Sequence, residues 1–170
     1  PTNSLAFADP DVDLNAWALT VGGTVERPGR YHLDQSRALP QVRHNTRHSC
    51  VEGWDVIGRF GGARLGDFLD LVGADPHARF VTVTCADGYY ESLDIATARH
   101  AQSLLCHEIY DRPLDRGHGA PLRLHISTTL GATPAKHLTT PDTHHLFPQR
   151  RSYSGDKGHT RSGGIEYSMA

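Results

Sequence analysis

Residues 47–73 read RHSCVEGWDVIGRFGGARLGDFLDLVG, and two different patterns meet in them. The second part is periodic: its apolar side chains recur at i, i+3, i+4 and i+7, the spacing of an amphipathic helix, at Leu65, Phe68, Leu69 and Val72. Gly73 follows as a helix stop. The first part has no helical period from Gln41 to Trp54, which predicts an extended segment that places Cys50 at or near a strand end.

Upstream of this segment the sequence predicts short strands and one helical turn. Apolar residues alternate with small or polar ones from Trp17 to Val21, the period of a half-buried strand. Gly22-Gly23 can supply the positive φ angles of a tight hairpin turn, with the returning strand at Thr24-Val25. A second alternating piece spans Tyr31–Leu33, and a single helical turn follows over Asp34–Ala38, capped by its aspartate.

Downstream, strands continue to outnumber helices. The predicted strands are Phe80–Val83, Leu104–Tyr110 and Leu122–Ile126, with a turn at Asp87-Gly88 and a short helix at Ile95–His100. Long helical crossovers do not alternate with the strands, as a doubly wound fold requires. The pattern therefore predicts an α+β domain with a mixed or antiparallel sheet and short helices.

A chain of 170 residues fits a single domain with one core. We predict that this domain covers residues 11–138, after an irregular arm at residues 1–10. Residues 139–170 are rich in Thr, Ser, Gly, His and Arg, and their apolar residues are scattered. This composition predicts a poorly ordered or divergent tail.

Composition excludes some partners. The formal net charge is −2, so nothing indicates binding to nucleic acid or to an anionic membrane surface. No apolar stretch is long enough for a transmembrane helix. No secretory signal is visible, but the chain begins at Pro1 rather than Met, so the missing signal excludes little and the compartment stays open.

The three cysteines, Cys50, Cys85 and Cys106, are an odd number at wide spacings, which is not the pattern of a disulfide framework. A thiolate at Cys50 suits a soft or redox-active metal, and Arg47 or a protonated His48 would favour that thiolate. The alternative is a buried cysteine that packs as a small hydrophobic residue. Spacing alone leaves both interpretations open.

The chain also holds 12 histidines. His144-His145 and His159 fall in the predicted tail and have no cysteine partner at zinc-finger spacing. Scattered surface histidine is the default interpretation, and a zinc-binding His/Cys domain remains a weaker alternative.

Several blocks follow one another in an order that is more specific than any single motif. They are His48–Trp54, Gly58–Gly62, Leu65–Gly73, Asp87–Leu93, Ala98–Leu105, His118–Leu124, Leu130-Gly131 and Ala135-Lys136. Together they resemble the molybdopterin-binding domain of the sulfite oxidase superfamily, in particular its bacterial branch, which includes the catalytic subunit of protein-methionine-sulfoxide reductase. The resemblance covers roughly residues 17–138 and implies the sulfite-oxidase-like fold.

The resemblance implies a molybdenum-molybdopterin cofactor and residues that hold it. In that family one cysteine joins molybdenum to the dithiolene sulfurs of the pterin, and Cys50 takes this position. Arg123 and Lys136 match positions that contact the cofactor, since a guanidinium fork and an ammonium group both suit its phosphate. His118 would donate a hydrogen bond there. The remaining cofactor-binding candidates are Cys85 and His48.

Other residues have weaker assignments. Asp87 and Tyr89 fall in a family block near the substrate side of the metal, where they are catalytic candidates, although tyrosines beside a turn are equally good packing residues. Glu52 and Trp54 are expected to orient the cysteine loop. Cys106 is expected to be a buried structural thiol. Without the resemblance, Arg123 would be a solvated strand charge and His118 a loop histidine.

The resemblance implies an oxidoreductase that performs two-electron oxygen-atom transfer on a small-molecule substrate, with sulfite not favoured. Because no Cys-x-x-Cys-His haem attachment is present, electrons are expected to pass to or from a separate haem- or quinone-linked partner. The bacterial relatives slightly favour a periplasmic location.

The chain also departs from the family pattern, with Phe60, Ala132 and His137 at positions where relatives differ, and the predicted tail lacks the family's closing strands. A degenerate or truncated module that binds a partner without catalysis is therefore the alternative.

Overall fold

A computed structural model of the chain describes residues 12–49, 55–127 and 135–144, with the backbone alone for residues 48–49 and 55–56. Its elements in chain order are β1 (Leu19–Gly23), β2 (Gly29–Tyr31), α1 (Leu33–Arg37), β3 (Gln41–Ser49), β4 (Asp55–Arg64), α2 (Leu65–Leu71), β5 (Phe80–Cys85), β6 (Tyr90–Asp94), α3 (Ile95–Arg99), β7 (Ser103–Ile109), β8 (Arg112–Pro113), a 3-10 helix (Arg116–His118), β9 (Arg123–Ile126) and β10 (Leu138–His144). None of the helices within these ranges is long and apolar enough to cross a membrane.

The described strands form two sheets. The first has the order β2-β1-β10-β5-β6, in which β1 and β10 run parallel and the other neighbours run antiparallel. The second has the order β3-β4-β7-β8, with β9 also paired to β7, and all of these pairs are antiparallel. The predicted α+β class with mixed or antiparallel sheet is confirmed.

The two sheets share a core through β7. Leu105 faces the main core, which also contains Val83 of β5 and Phe68 of α2. Leu104 and Cys106 belong to a smaller cluster with Phe60. This division follows from strand geometry, because successive side chains of a strand point to opposite faces.

The helical periodicity seen in the sequence is confirmed. In α2 the buried residues are Leu65, Phe68 and Leu69, and Gly73, just beyond the helix, has a φ angle of +66°. α3 lies where it was predicted and starts at Asp94, whose carboxylate accepts the N–H of Thr97 at 2.8 Å.

The predicted hairpin turn at Gly22-Gly23 is wrong. Both glycines belong to β1, where they pair with Asp142 and Thr143 of β10, and the chain reverses between β1 and β2 instead. Gly23 has a φ angle of +77°, and a Cβ there would collide with the backbone of Thr143. Gly23 therefore allows the backbones of β1 and β10 to approach closely.

The boundary between the second predicted strand and the helical turn is also shifted. Leu33, predicted as strand, is the first residue of α1, and His32 rather than Asp34 precedes the helix. The Gln35 side chain accepts the backbone N–H of His32 at 2.8 Å, which stabilises the earlier start.

β4 was not predicted as a strand, although β3 before it fits the predicted extended segment. Its sequence contains Gly58, Gly61 and Gly62, and glycine is depleted in strands. At Gly62 a Cβ would collide with the backbone of Leu105 on β7. Gly62, one of the glycines that disfavour a strand in the sequence, is therefore needed where β4 meets β7.

β10 corrects the predicted tail. Residues 139–144 are not poorly ordered: they form most of a strand that pairs with β5 on one side and β1 on the other. Pro141 argued against a central strand because proline cannot donate to a ladder, but pairing with β1 starts beyond it, at Asp142. Residues 145–170 lie outside the described part, so the rest of the tail and the exact domain boundary stay predictions.

Candidate functional site

The loop between β8 and β9 contains the 3-10 helix and His118. Asp115 precedes this helix, and its carboxylate accepts the backbone N–H of His118 at 2.8 Å. Gly119 ends the helix with a φ angle of +99°, and a cis peptide bond joins Ala120 to Pro121. These features fix the backbone of the loop just before Arg123.

Arg123 is almost fully buried, with 6% of its surface exposed. Its Nη1 donates to the carbonyl oxygen of His118 at 3.1 Å, and the guanidinium lies 5.8 Å from the ring centroid of Phe60. Its Nε is buried and has no hydrogen-bond partner among the described residues, and none of their carboxylates forms an ion pair with it. Burial lowers the pKa of Arg123, because the charged form loses its hydration.

Lys136 lies against the same loop. Its Nζ donates to the carbonyl oxygen of Gly117 at 2.7 Å. A Cβ built at Gly119 would lie only 3.0 Å from the Cβ of Lys136, so glycine allows the loop and the lysine to approach. The structure thus brings together His118, Arg123 and Lys136, three of the residues singled out from the sequence.

We define these three residues as the cationic cluster. A buried guanidinium without a described counter-anion is costly, and a bound anion with several oxygens would offset that cost. The donors present therefore fit the phosphate group that a molybdopterin carries. Their individual roles toward that cofactor stay predictions.

Cys50 follows directly after β3 and lies outside the described residues, as do Glu52 and Trp54. β3 and β4 pair as far as Ser49 with Asp55, so the segment with the cysteine connects two paired strands. His48 pairs with Val56 through the backbone, and its side chain is not described. Phe60 of β4 contacts Arg123, which links the strand after the cysteine segment to the cationic cluster.

The two substrate-side candidates make local contacts. The carboxylate of Asp87 accepts the backbone N–H of Tyr89 at 2.9 Å, which stabilises the turn between β5 and β6. The Tyr89 hydroxyl donates to Glu91 at 2.9 Å, and Glu91 is fully buried. These contacts favour the packing interpretation. The turn still lies near Lys136 of the cationic cluster, since Ala86 donates its N–H to the carbonyl oxygen of the next residue, His137, at 2.9 Å.

The remaining cysteines are buried. Cys85 packs in the main core, and burial, assisted by the charge of Asp87, raises its thiol pKa. Cys106 is fully buried; burial raises its pKa, and its thiol donates to the carbonyl of Glu108 at 3.1 Å. Cys106 is therefore a structural thiol as predicted. A neutral core thiol is also the simplest interpretation of Cys85, whose contact with a pterin stays a prediction.

Three residues around the cluster were missed. Phe60 stacks on His125 with ring centroids 3.8 Å apart and also contacts the Arg123 guanidinium. An apolar residue among glycines gave no indication of this role in the sequence. His137 is buried, and its Nδ1 lies 2.8 Å from the carbonyl oxygen of Ala120. Asp115 had one usable signal, an acid three residues before the predicted histidine. Within the described ranges no group of three or more His, Cys, Asp and Glu side chains is arranged to hold a metal ion.

Comparisons with known proteins agree with the predicted resemblance. A family model described as "Oxidoreductase molybdopterin binding domain" matches residues 6–143. A putative protein-methionine-sulfoxide reductase subunit of Azospira oryzae is 39% identical over 154 residues, which cover 91% of this chain and 58% of that protein. The catalytic subunit of the same reductase from Xanthomonas axonopodis pv. citri is 31% identical, covering 74% of this chain and 44% of that protein.

More distant similarity points the same way. Sulfite oxidase of Arabidopsis thaliana is 31% identical over a match that covers 76% of this chain and 42% of that protein. The sulfane dehydrogenase SoxCD from Paracoccus pantotrophus has a TM-score of 0.77 at 16% identity, and the match covers 85% of this chain and 42% of that chain. This last match bears on the fold alone, and it confirms the predicted sulfite-oxidase-like fold. The chain spans only about half the length of the curated relatives it matches.

Proposed function

Because the chain belongs to the oxidoreductase molybdopterin-binding domain family, we propose that it is the cofactor-holding part of an enzyme that transfers an oxygen atom to or from a small sulfur compound. Its cofactor is molybdenum-molybdopterin, as the family match implies. One observation supports cofactor binding above the others: Arg123 is a buried cation with an unpartnered Nε and no described counter-anion.

The cationic cluster would hold the phosphate end of the pterin. Arg123 is oriented by its bond to the His118 carbonyl and by the Phe60 ring, so its remaining donors are available to an anion. Lys136 is held against Gly117, which leaves its positive charge beside the same loop. Burial strengthens these interactions, because little water competes with a bound anion.

Cys50 would bind molybdenum as a thiolate. Thiolates are preferred ligands of soft, redox-active metals, and the resemblance of residues 48–54 to the family's cysteine motif supports this role for Cys50. The cofactor supplies a metal centre that exchanges two electrons and an oxygen atom with the substrate. The protein contributes the thiolate, the anion-binding donors and the walls of the site.

The substrate class is taken from the names of the relatives. Two are described as subunits of a protein-methionine-sulfoxide reductase and one as a sulfite oxidase. We favour reduction of a sulfoxide: two electrons from a donor and two protons convert the sulfoxide to a thioether and release its oxygen as water. A haem- or quinone-linked protein is the proposed electron donor.

The test uses holoprotein purified from a host that makes molybdopterin. Reduction of methionine sulfoxide is followed with a reduced viologen as electron donor, for the wild type, Cys50→Ser and the control Cys106→Ala, which removes a buried thiol that is not proposed as a metal ligand. We expect turnover in the wild type and the control, and loss of turnover in Cys50→Ser. Full turnover by Cys50→Ser would overturn the ligand assignment, and a cofactor-loaded wild type that reduces no sulfoxide would overturn the reaction.

A further inference from the structure

We propose that Asp115 is a positioning residue that accepts the Nδ1–H of His118 and so orients the imidazole, with Nε2–H directed to donate to the anionic end of the cofactor. This inference rests on the proposed function, because it takes His118 as a cofactor-binding residue. It assigns a role to a residue that no motif singles out.

The geometry of the pair carries the proposal. One carboxylate oxygen of Asp115, Oδ1, lies 2.6 Å from Nδ1 of His118 and 2.8 Å from its backbone nitrogen. An aspartate that only capped the 3-10 helix would need the backbone bond alone. The second, shorter contact is with the ring, and it constrains the imidazole rather than the helix.

His118 is held at three points. Its backbone N–H and Nδ1 contact Asp115, and its carbonyl oxygen accepts from Nη1 of Arg123 at 3.1 Å. Nε2 is the remaining polar atom, and none of the described residues hydrogen-bonds to it. The His118 side chain is about one-third exposed, so this nitrogen is accessible to a ligand.

The charge of Asp115 defines the direction of its hydrogen bond with Nδ1. The hydrogen bonds from His118 hold the pKa of Asp115 below its usual value, and the charge of Lys136 acts in the same direction. An ionised carboxylate can only accept hydrogen bonds. Nδ1 of His118 therefore donates to Asp115. Donation to an anion at Nε2 requires a proton on that nitrogen too, so the ring binds the anion as an imidazolium that the carboxylate orients.

Asp115→Ser is the informative variant. Serine still caps a helix well, but its side chain is too short to reach Nδ1. Asp115→Asn keeps an acceptor oxygen at the same length and serves as the conservative rescue. Asp94→Ser is the matched control, because Asp94 also caps a helix and also bonds the side chain three residues on, through Thr97 Oγ1 at 2.7 Å, but belongs to α3.

Two readouts separate positioning from folding. Nitrogen NMR of the His118 ring in cofactor-free protein reports whether Nδ1 carries a hydrogen-bonded proton. The rate at which purified holoprotein releases fluorescent pterin reports cofactor retention. We expect Asp115→Ser to lose the hydrogen-bonded Nδ1–H and to release pterin about tenfold faster. Asp115→Asn should stay close to the wild type, and Asp94→Ser should match it in both readouts.

Wild-type release rates in Asp115→Ser, or equally fast release from Asp94→Ser, would overturn the positioning role while leaving the proposed function intact. A wild type that retains no pterin at all would overturn the proposed function, and this inference with it.

Discussion

At the level of single residues, Arg123 and His107 are the clearest cases of buried polar groups with opposite consequences. Arg123 is charged and has no described counter-anion, so it costs stability until an anion binds. His107 is neutral and partly satisfied: Gln41 uses its amide nitrogen on the carbonyls of Ser36 and Leu39, so its oxygen accepts from Nε2 of His107 at 2.8 Å. The first arrangement suits a binding site and the second suits a packed interior.

Replacing Arg123 with methionine should separate stability from binding. We expect the melting temperature of cofactor-free Arg123→Met to equal or exceed that of the wild type, because an unpaired buried charge is removed. Pterin content after purification should fall at least about tenfold, since charge-assisted hydrogen bonds contribute about 1.5–3 kcal/mol each. The control Arg99→Met breaks an ion pair with Asp70 outside the site and should retain pterin. A lower melting temperature with unchanged pterin would contradict the assignment.

His107 gives a pH prediction whose sign can be worked out. Burial lowers its pKa below the ordinary 6.5, and the charges of Arg37 and Arg43 act in the same direction. Its contribution to folding is therefore fully present above pH 6.5 and declines as the pH falls, because the unfolded chain takes up the proton first. The loss of stability between pH 7.5 and 5.5, measured by urea unfolding, should be smaller in His107→Gln. An identical pH profile would show that His107 does not titrate as described.

At the level of elements, helices and strands were predictable where apolar side chains recur at regular spacing. Strands were missed where glycine, proline or polar residues replace that pattern. α2, β5 and β7 carry regular apolar spacing and were found from the sequence. β4 was missed because its glycines suit the close approach of β7, and β10 because it contains Pro141 and mostly polar residues. Whether glycine or proline fits a strand at these positions depends on the neighbouring strand, which a local sequence pattern does not reveal.

Two glycines test this explanation. Gly62→Ala should destabilise the cofactor-free protein by about 1–3 kcal/mol, because the new Cβ meets the Leu105 backbone, which cannot move aside easily. Gly66→Ala is the matched control: its Cβ would lie 3.5 Å from Arg99, an ordinary contact, inside α2. It should stabilise by about 0.5–1 kcal/mol. Equal effects in chemical denaturation would mean that the approach of β7 is not what selects glycine.

At the level of the whole molecule, β10 joins the two parts of the first sheet. It is the strand between β1 and β5, and the segment just before it provides Lys136 and His137. The family match likewise extends to residue 143, beyond the domain end predicted from the sequence. The alternative of a truncated, non-catalytic module was based on a tail without closing strands. Because β10 is such a strand, this support for the alternative is reduced.

Truncation tests the place of β10. A chain ended after Leu138 should show no cooperative thermal unfolding, because β1 and β5 lose the strand that connects them. A chain ended after His144 retains every described strand and should unfold cooperatively. Cooperative unfolding of the shorter chain would show that β10 is dispensable, and failure of both would show that residues 145–170 are needed.

The residues of the site that could be predicted from the sequence are those that lie in the family motifs. His118, Arg123 and Lys136 were found in the sequence and lie together in the structure. Asp115 and Phe60 were not found. Asp115 acts from the cap of the 3-10 helix, and Phe60 lies on β4, far from Arg123 in the sequence, so neither contact could be read from a local motif. Cys50 came from the resemblance, and its role as a metal ligand is the central proposal.

Molybdenum X-ray absorption on the purified holoprotein tests that proposal most directly, because it counts the sulfur atoms bound to the metal. The wild type should show one more sulfur neighbour than Cys50→Ser at matched molybdenum content, with Cys106→Ala identical to the wild type. The same sulfur count in the wild type and Cys50→Ser would contradict the proposal that Cys50 binds molybdenum.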